Sequence, residues 1–340
     1  MKKQYTINEI ARTLSLSRNT VSKVLNDKEG VSPKTQKMIW DYLAAHRFAQ
    51  EETSLPKYAA TQNRRVIFTY HLSNSEYLNN ILSGLERRLK ENGCTLILNI
   101  VHDDETGRVQ LPHSLSNDGV CGIVSFNIFD KEYWREIIAL DIPSVFIDTF
   151  YQAYLFAGKT DIITPENSHA IHEVIEILRK KGKKTFGFIG DPTYCYSSNQ
   201  RWHAFCDSLQ EAGLPIRKDF CVLESLARFA DAEQMDVLRR RLEQMPQCPE
   251  VFLCASDSYA TLLSCILQEK GYRIPQDVSI VGFDNLSETV RQSPAITTID
   301  AHSEYLGEMA AQKLLERIAN PQKYYEFLSY GTNLILRDST

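Results

Sequence analysis

The segment EKGYRIPQDVSIVGFDN, residues 269–285, decides the fold of this chain. It begins at the end of a predicted helix, Ser258–Lys270, which stops at Gly271 because glycine adopts the left-handed conformation of a helix end without strain. The apolar run Val278–Val281 follows and predicts a buried strand. A helix followed by a buried strand is the repeating unit of a parallel sheet, in which ligands bind beyond the carboxyl ends of the strands. Asp284 lies at such an end.

The same alternation of strands and helices runs through residues 66–340. Strands are predicted at Val66–Tyr70, Thr95–Ile100, Gly122–Phe126, Ser144–Ile147, Thr185–Ile189, Val251–Cys254 and Val278–Val281. Helices are predicted at Glu76–Asn92, Lys131–Leu140, Ser168–Lys181, Gln200–Ala212, Ala232–Met245, Ser258–Lys270 and Glu304–Ala319. A stretch of about 275 residues exceeds one typical open sheet, so we expect an α/β body of two lobes, each with its own parallel sheet.

Residues 1–48 differ from the body because they contain three helical patterns and no strand pattern. Thr6 begins a capping box, and Ser17 and Ser32 are predicted to cap the second and third helices. Only residues 14–16 separate the first two helices. Such a short connection forces the helices to cross sharply, which predicts a helix-turn-helix.

The stretch 49–65 is polar, contains a proline and has little periodicity, so it is predicted to be a linker. The predicted organisation is therefore an all-α head at residues 1–48, a linker at 49–65 and an α/β body at 66–340.

The charge of the chain is divided between the head and the body. The formal net charge of −5 would by itself argue against a nucleic-acid partner. However, residues 1–50 hold nine Lys and Arg against four Asp and Glu, whereas residues 51–340 hold 29 against 39. A basic head on an acidic body indicates a separate module that binds a polyanion.

Several classes of protein lack their signatures here. No apolar run is long enough to span a membrane and no secretory signal is present, so we expect a cytoplasmic protein with no membrane partner. The eight cysteines form no Cys-x-x-Cys pair and are predicted to be reduced thiols. His169 and His172 have no third ligand near them in the sequence. With no nucleophile elbow, P-loop or dinucleotide fingerprint, we expect no metal, no cofactor and no catalytic residue.

The second predicted helix presents side chains that suit DNA. Its apolar stripe faces the other helices, so Arg18, Asn19 and Lys23 project away from it. Arginine and asparagine pair bidentately with guanine and adenine edges, and lysine donates to guanine or phosphate. Hydroxyls that can meet phosphate oxygens come from Ser17, Thr20, Ser22 and Ser32. From the pattern alone, a solvated polar face on a structural bundle remains the alternative.

Several separate stretches of the chain resemble one protein family. TINEIA (6–11), LSRNTVSKVLN (16–26) and VSPKT (31–35) closely resemble the head of transcription regulators of the lactose-repressor family. The segment 269–285 looks like the most recognisable part of the family's effector domain. SPAITTI (293–299) and LILRDST (334–340) resemble its closing segments. The resemblance covers nearly the whole chain, and the motifs occur in the family's order.

The resemblance implies a regulator, specifically a repressor, that binds double-stranded DNA as a homodimer. The head would read a pseudo-palindromic operator in the major groove. The body would be two-lobed, like a type I periplasmic binding protein, with an effector such as a sugar, a sugar phosphate or another polyol between its lobes. Arg18 and Asn19 match the main base-reading positions, whereas Lys23 replaces the usual arginine and loses its planar fork. The matching motifs add Thr6, Asn26 and Thr35 to the DNA-contacting residues.

The resemblance also implies an effector site. Arg201, in the stretch SSNQRW, matches the arginine that donates to effector hydroxyls or a carboxylate. Asp284 matches the aspartate that accepts from hydroxyls or amines. Further positions that line the family's pocket are Tyr77, Leu78, Phe126, Asp148, Ser197, Leu226 and Ser256. Ser256 replaces a frequent asparagine, and Leu226 stands where several members stack an aromatic ring on the ligand.

The linker departs from the family pattern. Lys57 stands where the family places a leucine that wedges the minor groove, and Pro56 disfavours a helix before it. Glu51 and Glu52 would repel phosphate. We therefore expect that residues 51–58 do not form the family's minor-groove helix.

Two rival functions remain open from the sequence. One is a solute-binding or sensor protein of the same body fold without operator specificity, and the head counts against it. The other is a small-molecule enzyme on an α/β scaffold, against which the missing nucleophile and cofactor signatures count.

Overall fold

The computed structural model describes residues 11–25, 31, 32, 35, 36, 38, 39, 64–71, 75–102, 109–111, 119–152, 156, 158–226 and 231–340. The chain divides into two compact units, Met1–Ala60 and Thr61–Thr340.

In the first unit, helix α1 spans Arg18–Leu25. It begins as predicted after Ser17, whose Oγ accepts the backbone N–H of Thr20 at 3.0 Å. Because this bond satisfies one of the free N–H groups of the first turn, it fixes where the helix starts. Val21 and Val24 are buried on the inner side of α1.

The described residues around α1 form a small apolar core. Ala11 and Ile39 pack with the buried valines of α1. Ser32 caps the next helical segment, as predicted, because its Oγ accepts the backbone N–H of Thr35 at 3.2 Å. The capping box at Thr6, Asn26 and the predicted linker up to residue 63 lie outside the described residues.

The second unit alternates strands and helices. Its strands are β1 (Arg64–His71), β2 (Cys94–Val101), β3 (Val120–Phe126), β4 (Ser144–Ile147), β5 (Asp161–Pro165), β6 (Phe186–Ile189), β7 (Val251–Cys254), β8 (Ser279–Val281), β9 (Thr298–Asp300), β10 (Phe327–Tyr330) and β11 (Asn333–Ile335). Its helices are α2 (Glu76–Glu91), α3 (Lys131–Ala139), α4 (His169–Lys180), α5 (Tyr196–Glu211), α6 (Asp231–Glu243), α7 (Asp257–Glu269), α8 (Ser287–Arg291) and α9 (Ser303–Ala319), with a 3₁₀ turn at Lys218–Phe220.

The first lobe is built on a parallel sheet of six strands in the order β10-β5-β4-β3-β1-β2. One face of this sheet packs on α2 and α9 through side chains such as Phe68, Leu85 and Leu314. The other face packs on α3, where Trp134 stacks on Phe146 with ring centroids 3.6 Å apart. Helices therefore cover both faces, as expected for a parallel sheet.

The second lobe is built on a parallel sheet of three strands in the order β6-β7-β8. Helices α4 and α5 cover one face, and α6 and α7 cover the other. An antiparallel pair, β11 with β9, lies beside it, and Thr297 joins that pair to Val281 of β8 through a single bridge. Thus the fold class predicted for the body, two lobes with parallel sheets, is confirmed.

The chain passes between the two lobes three times. It crosses between β5 and α4, between β9 and α9, and between β10 and β11. Because each lobe is assembled from distant parts of the chain, the gap between them is lined by residues far apart in sequence.

The main differences from the predicted elements are short strands and helix ends. Strands β5, β9, β10 and β11 and the helix α8 were not predicted. Arg64 and Arg65, which the sequence placed in the linker, are the first residues of β1. Helix α5 starts at Tyr196 rather than at Gln200, so its first turn carries Ser197.

Candidate functional site

A cavity of about 550 Å³ lies between the two lobes at the carboxyl ends of their strands. Seven of the nine residues that the resemblance implied for an effector site line it. The first lobe contributes Tyr77, Phe126 and Asp148, and the second contributes Ser197, Arg201, Ser256 and Asp284.

Arg201 is held rigidly at the wall of this cavity. Its Nε donates to Oδ1 of Asn167 at 2.9 Å, and its Nη1 donates to the carbonyl oxygen of Ala255 at 2.5 Å. The guanidinium lies 3.5 Å from the ring centroid of Phe283. The side chain is buried, so these contacts replace the water that the charge has lost.

Asp284 follows β8 and lies beside Arg201 in the second-lobe wall of the cavity. Its Oδ1 lies 3.9 Å from Nη1 of Arg201. Burial raises the pKa of Asp284 to about 8, because desolvation disfavours the carboxylate more than the guanidinium favours it. The backbone at Asp284 has φ of 119°, a conformation that side chains rarely adopt and that the surrounding residues must hold in place.

Asp257, at the start of α7, holds the loop that carries Asp284. Its Oδ1 accepts from the hydroxyl of Thr298 at 2.6 Å, and its Oδ2 accepts from the backbone N–H of Leu286 at 2.8 Å. Burial raises the pKa of Asp257 to about 6. A Cβ at Gly282 would lie 2.0 Å from Oδ1 of Asp257, so only glycine lets the strand end approach this carboxylate.

The first-lobe wall is tied to the second lobe at Asp148. This residue follows β4 with φ of 61°, and its Oδ1 accepts the backbone N–H of Thr149 at 2.7 Å and that of Ser197 at 3.3 Å. The backbone N–H of Tyr196 donates to the carbonyl oxygen of Thr149 at 2.7 Å. The lobes therefore touch directly beside the cavity, and burial raises the pKa of Asp148 despite these hydrogen bonds.

Tyr77 and Ser256 complete the predicted part of the lining. Burial raises the pKa of Tyr77 well above its usual range, and the nearby Asp284 carboxylate adds to the effect. The hydroxyl oxygen of Ser256 accepts the backbone N–H of Tyr259 at 3.4 Å and so caps α7.

Two implied residues do not line the cavity. Leu78 follows Tyr77 on α2, and successive helical residues point about 100° apart, so it turns into the core of the first lobe. Leu226 is fully buried in the core of the second lobe beside Val222. Both leucines are covered by protein, so the structure places neither of them in the lining of the cavity.

Other residues of the lining were missed by the sequence. They are Ser75, Asn127, Ile147, Pro165, Asp191, Tyr194, Cys195, Ser198, Gln234, Ala255, Ser258, Tyr259, Thr261, Leu262, Leu286 and Glu288. The strand-end rule could have found Asp191 and Tyr194, which follow β6 closely. Glu288 lies on α8, which the sequence did not predict.

The predicted DNA-contacting residues that the structure describes lie on the surface of the first unit. Exposed ones are Ser17, Arg18, Asn19 and Ser32, and half-buried ones are Thr20, Ser22, Lys23 and Thr35. The hydroxyls of Ser17 and Ser32 cap helices, so they are already engaged with backbone N–H groups. Arg18 and Asn19 stand on the first turn of α1, at its exposed N-terminal end.

Among the described residues, no three His, Cys, Asp or Glu side chains are grouped so that they could hold a metal ion. His172 instead shares a hydrogen bond of 2.8 Å with the hydroxyl of Ser208. In the same parts of the chain, no helix is long and apolar enough to cross a bilayer.

Known proteins resemble this chain along its full length. A family model described as "periplasmic binding protein-like domain" matches residues 175–340. The HTH-type transcriptional repressor PurR of Photorhabdus laumondii is 27% identical, with 98% of this chain and 96% of that protein covered. PurR of Actinobacillus pleuropneumoniae serotype 3 is 28% identical, with 98% of each covered.

Solved structures share the fold. The lac repressor dimer bound to operator and the anti-inducer ONPF aligns with a TM-score of 0.68 at 19% identity, over 99% of each chain. The complex of the transcriptional regulator CelR with cellobiose also aligns with a TM-score of 0.68 at 19% identity, over 99% of this chain and all of that one. The curated relatives are repressors rather than enzymes. In its motifs, its fold and these relatives, the chain is similar to transcription regulators of the lactose-repressor family.

Proposed function

We propose that this chain is a sequence-specific DNA-binding repressor whose affinity for its operator is controlled by a small hydroxylated effector, a sugar or related polyol. It acts in the cytoplasm, where bacterial DNA lies, as a homodimer on a pseudo-palindromic site. Residues 1–48 form the DNA-binding domain, the linker follows, and the body from residue 66 onwards binds the effector and dimerises.

The observation that carries this proposal is the cavity between the lobes, where Arg201 and Asp284 converge from α5 and the end of β8. A guanidinium that donates beside a carboxyl that accepts suits a ligand with adjacent hydroxyls. The hydroxyls of Ser197 and Ser256 add groups that can donate or accept. One structural neighbour is a complex with cellobiose, which supports a sugar as the type of ligand.

The DNA-binding part of the proposal is supported by α1. Arg18 and Asn19 are exposed at its N-terminal end, the place from which helix-turn-helix proteins contact base edges. Another structural neighbour is bound to its operator, and the curated relatives are named as repressors.

The two parts are coupled through lobe closure in this proposal. The effector touches both lobes, so it binds more tightly where they are closed around it, and it shifts the population toward that state. A change in closure alters the spacing of the two heads in the dimer and therefore operator affinity. The coupling exists only if the effector distinguishes the two states.

The test begins with selection of bound sequences from random double-stranded DNA by the full-length chain. We expect enrichment of one two-fold symmetric sequence, with an affinity that falls steeply as salt rises. The chain is then screened by thermal shift against sugars, sugar phosphates, polyols and nucleobases, because a true ligand stabilises the folded state by mass action. A stabilising ligand must also change the affinity for the selected operator.

The rival function makes a different forecast. A sensor protein without operator specificity would enrich no symmetric sequence, although a sugar would still stabilise it. That combination of results would overturn the proposal.

A further inference from the structure

Acidic side chains outnumber basic ones in the lining of the cavity between the lobes. Its described lining carries four carboxyl groups and a single guanidinium, that of Arg201, and no lysine or histidine. The four carboxyl groups belong to Asp148, Asp191, Asp284 and Glu288. A cavity with this composition repels an anionic ligand.

The single cation of the lining is already engaged by protein atoms. Two of the three guanidinium nitrogens of Arg201 donate to Asn167 and to the carbonyl of Ala255. The guanidinium carbon also lies 3.5 Å from the ring centroid of Phe283. Arg201 therefore has little capacity left for a phosphate or carboxylate of a ligand, which needs a free bidentate fork.

Two of the carboxyl groups are satisfied within the protein. Asp148 accepts hydrogen bonds from the backbone N–H groups of Thr149 and Ser197. Asp191 accepts the backbone N–H of Thr193 at 2.8 Å and its hydroxyl at 2.7 Å. Neither group needs a ligand to compensate for its burial.

The other two carboxyl groups lack such partners. No described residue donates a hydrogen bond to Asp284, and its nearest cationic atom is the engaged Nη1 of Arg201 at 3.9 Å. Glu288 receives one long hydrogen bond, 3.4 Å, from the hydroxyl of Ser258. Burial raises the pKa of both groups. Repulsion from other carboxylates adds to the rise, from Asp257 and Glu288 at Asp284 and from Glu76 at Glu288. Without a counter-ion Asp284 holds its proton at pH 7 while the cavity is empty, and a bound cation would supply the counter-ion that lets this carboxyl group ionise.

Aromatic rings surround the same space. Tyr77, Phe126, Tyr194 and Tyr259 all line the cavity. The rings of Tyr77 and Phe126 have centroids 6.1 Å apart. The face of an aromatic ring attracts a cation, and the attraction grows when both are removed from water.

We propose that the effector of this chain carries a protonated amine, which binds between Asp284, Glu288 and the aromatic wall. An amino sugar or an amine-bearing polyol belongs to this class, whereas a sugar phosphate does not. The inference rests on the proposed function, since it names the chemical class of ligand for the same cavity.

The test compares ligands that share a frame and differ only in charge. Three sets are used on the full-length chain at pH 7: glucosamine, glucose and glucuronate; benzylamine, benzyl alcohol and benzoate; and 4-amino-1-butanol, 1,4-butanediol and 4-hydroxybutyrate. Dissociation constants are measured by isothermal titration. We expect at least one amine to bind about tenfold more tightly than its neutral partner, and no carboxylate to bind better than its neutral partner.

Charge-neutral variants locate the effect. Asp284→Asn and Glu288→Gln should each reduce the preference for the amine at least threefold. Glu173→Gln makes the same change at an exposed position on α4, outside the cavity, and should leave the preference intact. Two separate substitutions are used so that a folding defect in one does not decide the test.

Every other result overturns the proposal. Equal or tighter binding by a neutral or anionic partner does so, as does an amine preference that survives both cavity variants. Failure of all three amines to bind does so as well. Operator selection with the same preparation shows separately whether the repressor function holds, so the two proposals fail in distinguishable ways.

Discussion

The carboxylate of Glu76, at the start of α2 in the first lobe, accepts from the backbone N–H of Ser287 at 3.0 Å and from its hydroxyl at 2.6 Å. Ser287 begins α8 in the second lobe. Residues on either side of this pair, Ser75, Leu286 and Glu288, line the cavity. The pair therefore joins the two lobes at the edge of the space that the effector is proposed to occupy.

This contact predicts that Glu76 stabilises the closed arrangement of the lobes. In Glu76→Gln the charge is lost and a single amide oxygen remains as acceptor. The closed arrangement of the lobes should therefore be destabilised by about 1–2 kcal/mol. The effector concentration that half-saturates the operator response should rise roughly 5- to 30-fold, since closure is linked to effector binding. Operator titrations against the stabilising ligand from the screen measure this shift.

Two further variants give the matched comparison. Ser287→Ala keeps the backbone N–H and should shift the midpoint less than Glu76→Gln does. Glu86→Gln changes an exposed glutamate on the same helix and should not shift it. An equal shift in Glu86→Gln and Glu76→Gln would show that the effect comes from charge on α2 and not from the contact between the lobes.

The base-reading role of Arg18 predicts a change in DNA preference. Arg18→Ala should weaken binding to the selected operator by about 1–3 kcal/mol and relax the preference at one base pair of each half-site. Arg240→Ala removes an exposed arginine from α6 in the body and serves as the control. Competition between the operator and its single-base variants measures both quantities. Uniform weakening on every sequence would instead identify Arg18 as a phosphate contact.

The position of Arg201 in the cavity predicts that its substitution abolishes the response to the effector without abolishing DNA binding. Arg201→Ala removes the donor to Asn167, Ala255 and the cavity at once. We expect the operator response to the effector to be lost while binding to the selected operator stays within about threefold of wild type. Loss of operator binding with the effector response intact would contradict this assignment. Circular dichroism of the variant shows whether the fold survives.

Asp284 predicts a stability effect that depends on pH. With the pKa of the folded state raised to about 8, the buried group keeps its proton where the unfolded chain has lost it. Stability therefore falls as pH rises from about 4 toward 8, by up to roughly 1 kcal/mol per unit. Asp284→Asn removes this pH-dependent loss of stability. At pH 8 the free energy of unfolding of the variant should therefore exceed that of wild type by roughly 2–4 kcal/mol.

The charged and titratable groups around Asp284 are Arg201, Asp257 and Glu288, together with Tyr77. Asp257 also has a raised pKa, so both proteins should lose stability between about pH 4 and pH 6. The difference between the two unfolding curves isolates Asp284. Urea denaturation at pH 5, 6, 7 and 8 measures it. If the stability advantage of Asp284→Asn over wild type shrinks as pH rises, Asp284 is ionised in the folded state.

Sequence patterns predicted the buried central strands of this molecule better than its edge strands and shortest strands. The strands β4 and β7 were predicted to the residue because each is a short buried apolar run between polar segments. Strand β10 was missed because it lies at the edge of its sheet, where exposed and half-buried residues alternate. Three-residue strands such as β9 and β11 carry too few side chains to show a period.

The same contrast holds for the candidate site. The motifs placed Arg201 and Asp284 at one ligand site, and the structure brings them together in the lining of one cavity, 3.9 Å apart. The partners that hold Arg201, Asn167 and the carbonyl of Ala255, come from other segments and left no local signal. The different placement of Leu78 has a related cause. The motif match covered Tyr77 and Leu78 together, but adjacent residues on a helix project in different directions, so only Tyr77 reaches the cavity.

The crossing of α2 over α9 predicts a strict requirement for glycine at position 84. A Cβ on Gly84 would lie 1.9 Å from the carbonyl oxygen of Glu304, and a Cβ on Gly307 would lie 2.1 Å from that of Ile81. Both contacts are with backbone, so relief would require the helices to separate. Gly84→Ala should therefore lower the free energy of unfolding by about 1–3 kcal/mol, or more if the helices cannot move. Gly331→Ala is the matched control, because a Cβ there meets open space and the change should stay within about 0.5 kcal/mol. Urea denaturation of the three proteins at one pH decides between them, and equal stability of Gly84→Ala and wild type would show that the helices are not in this close contact.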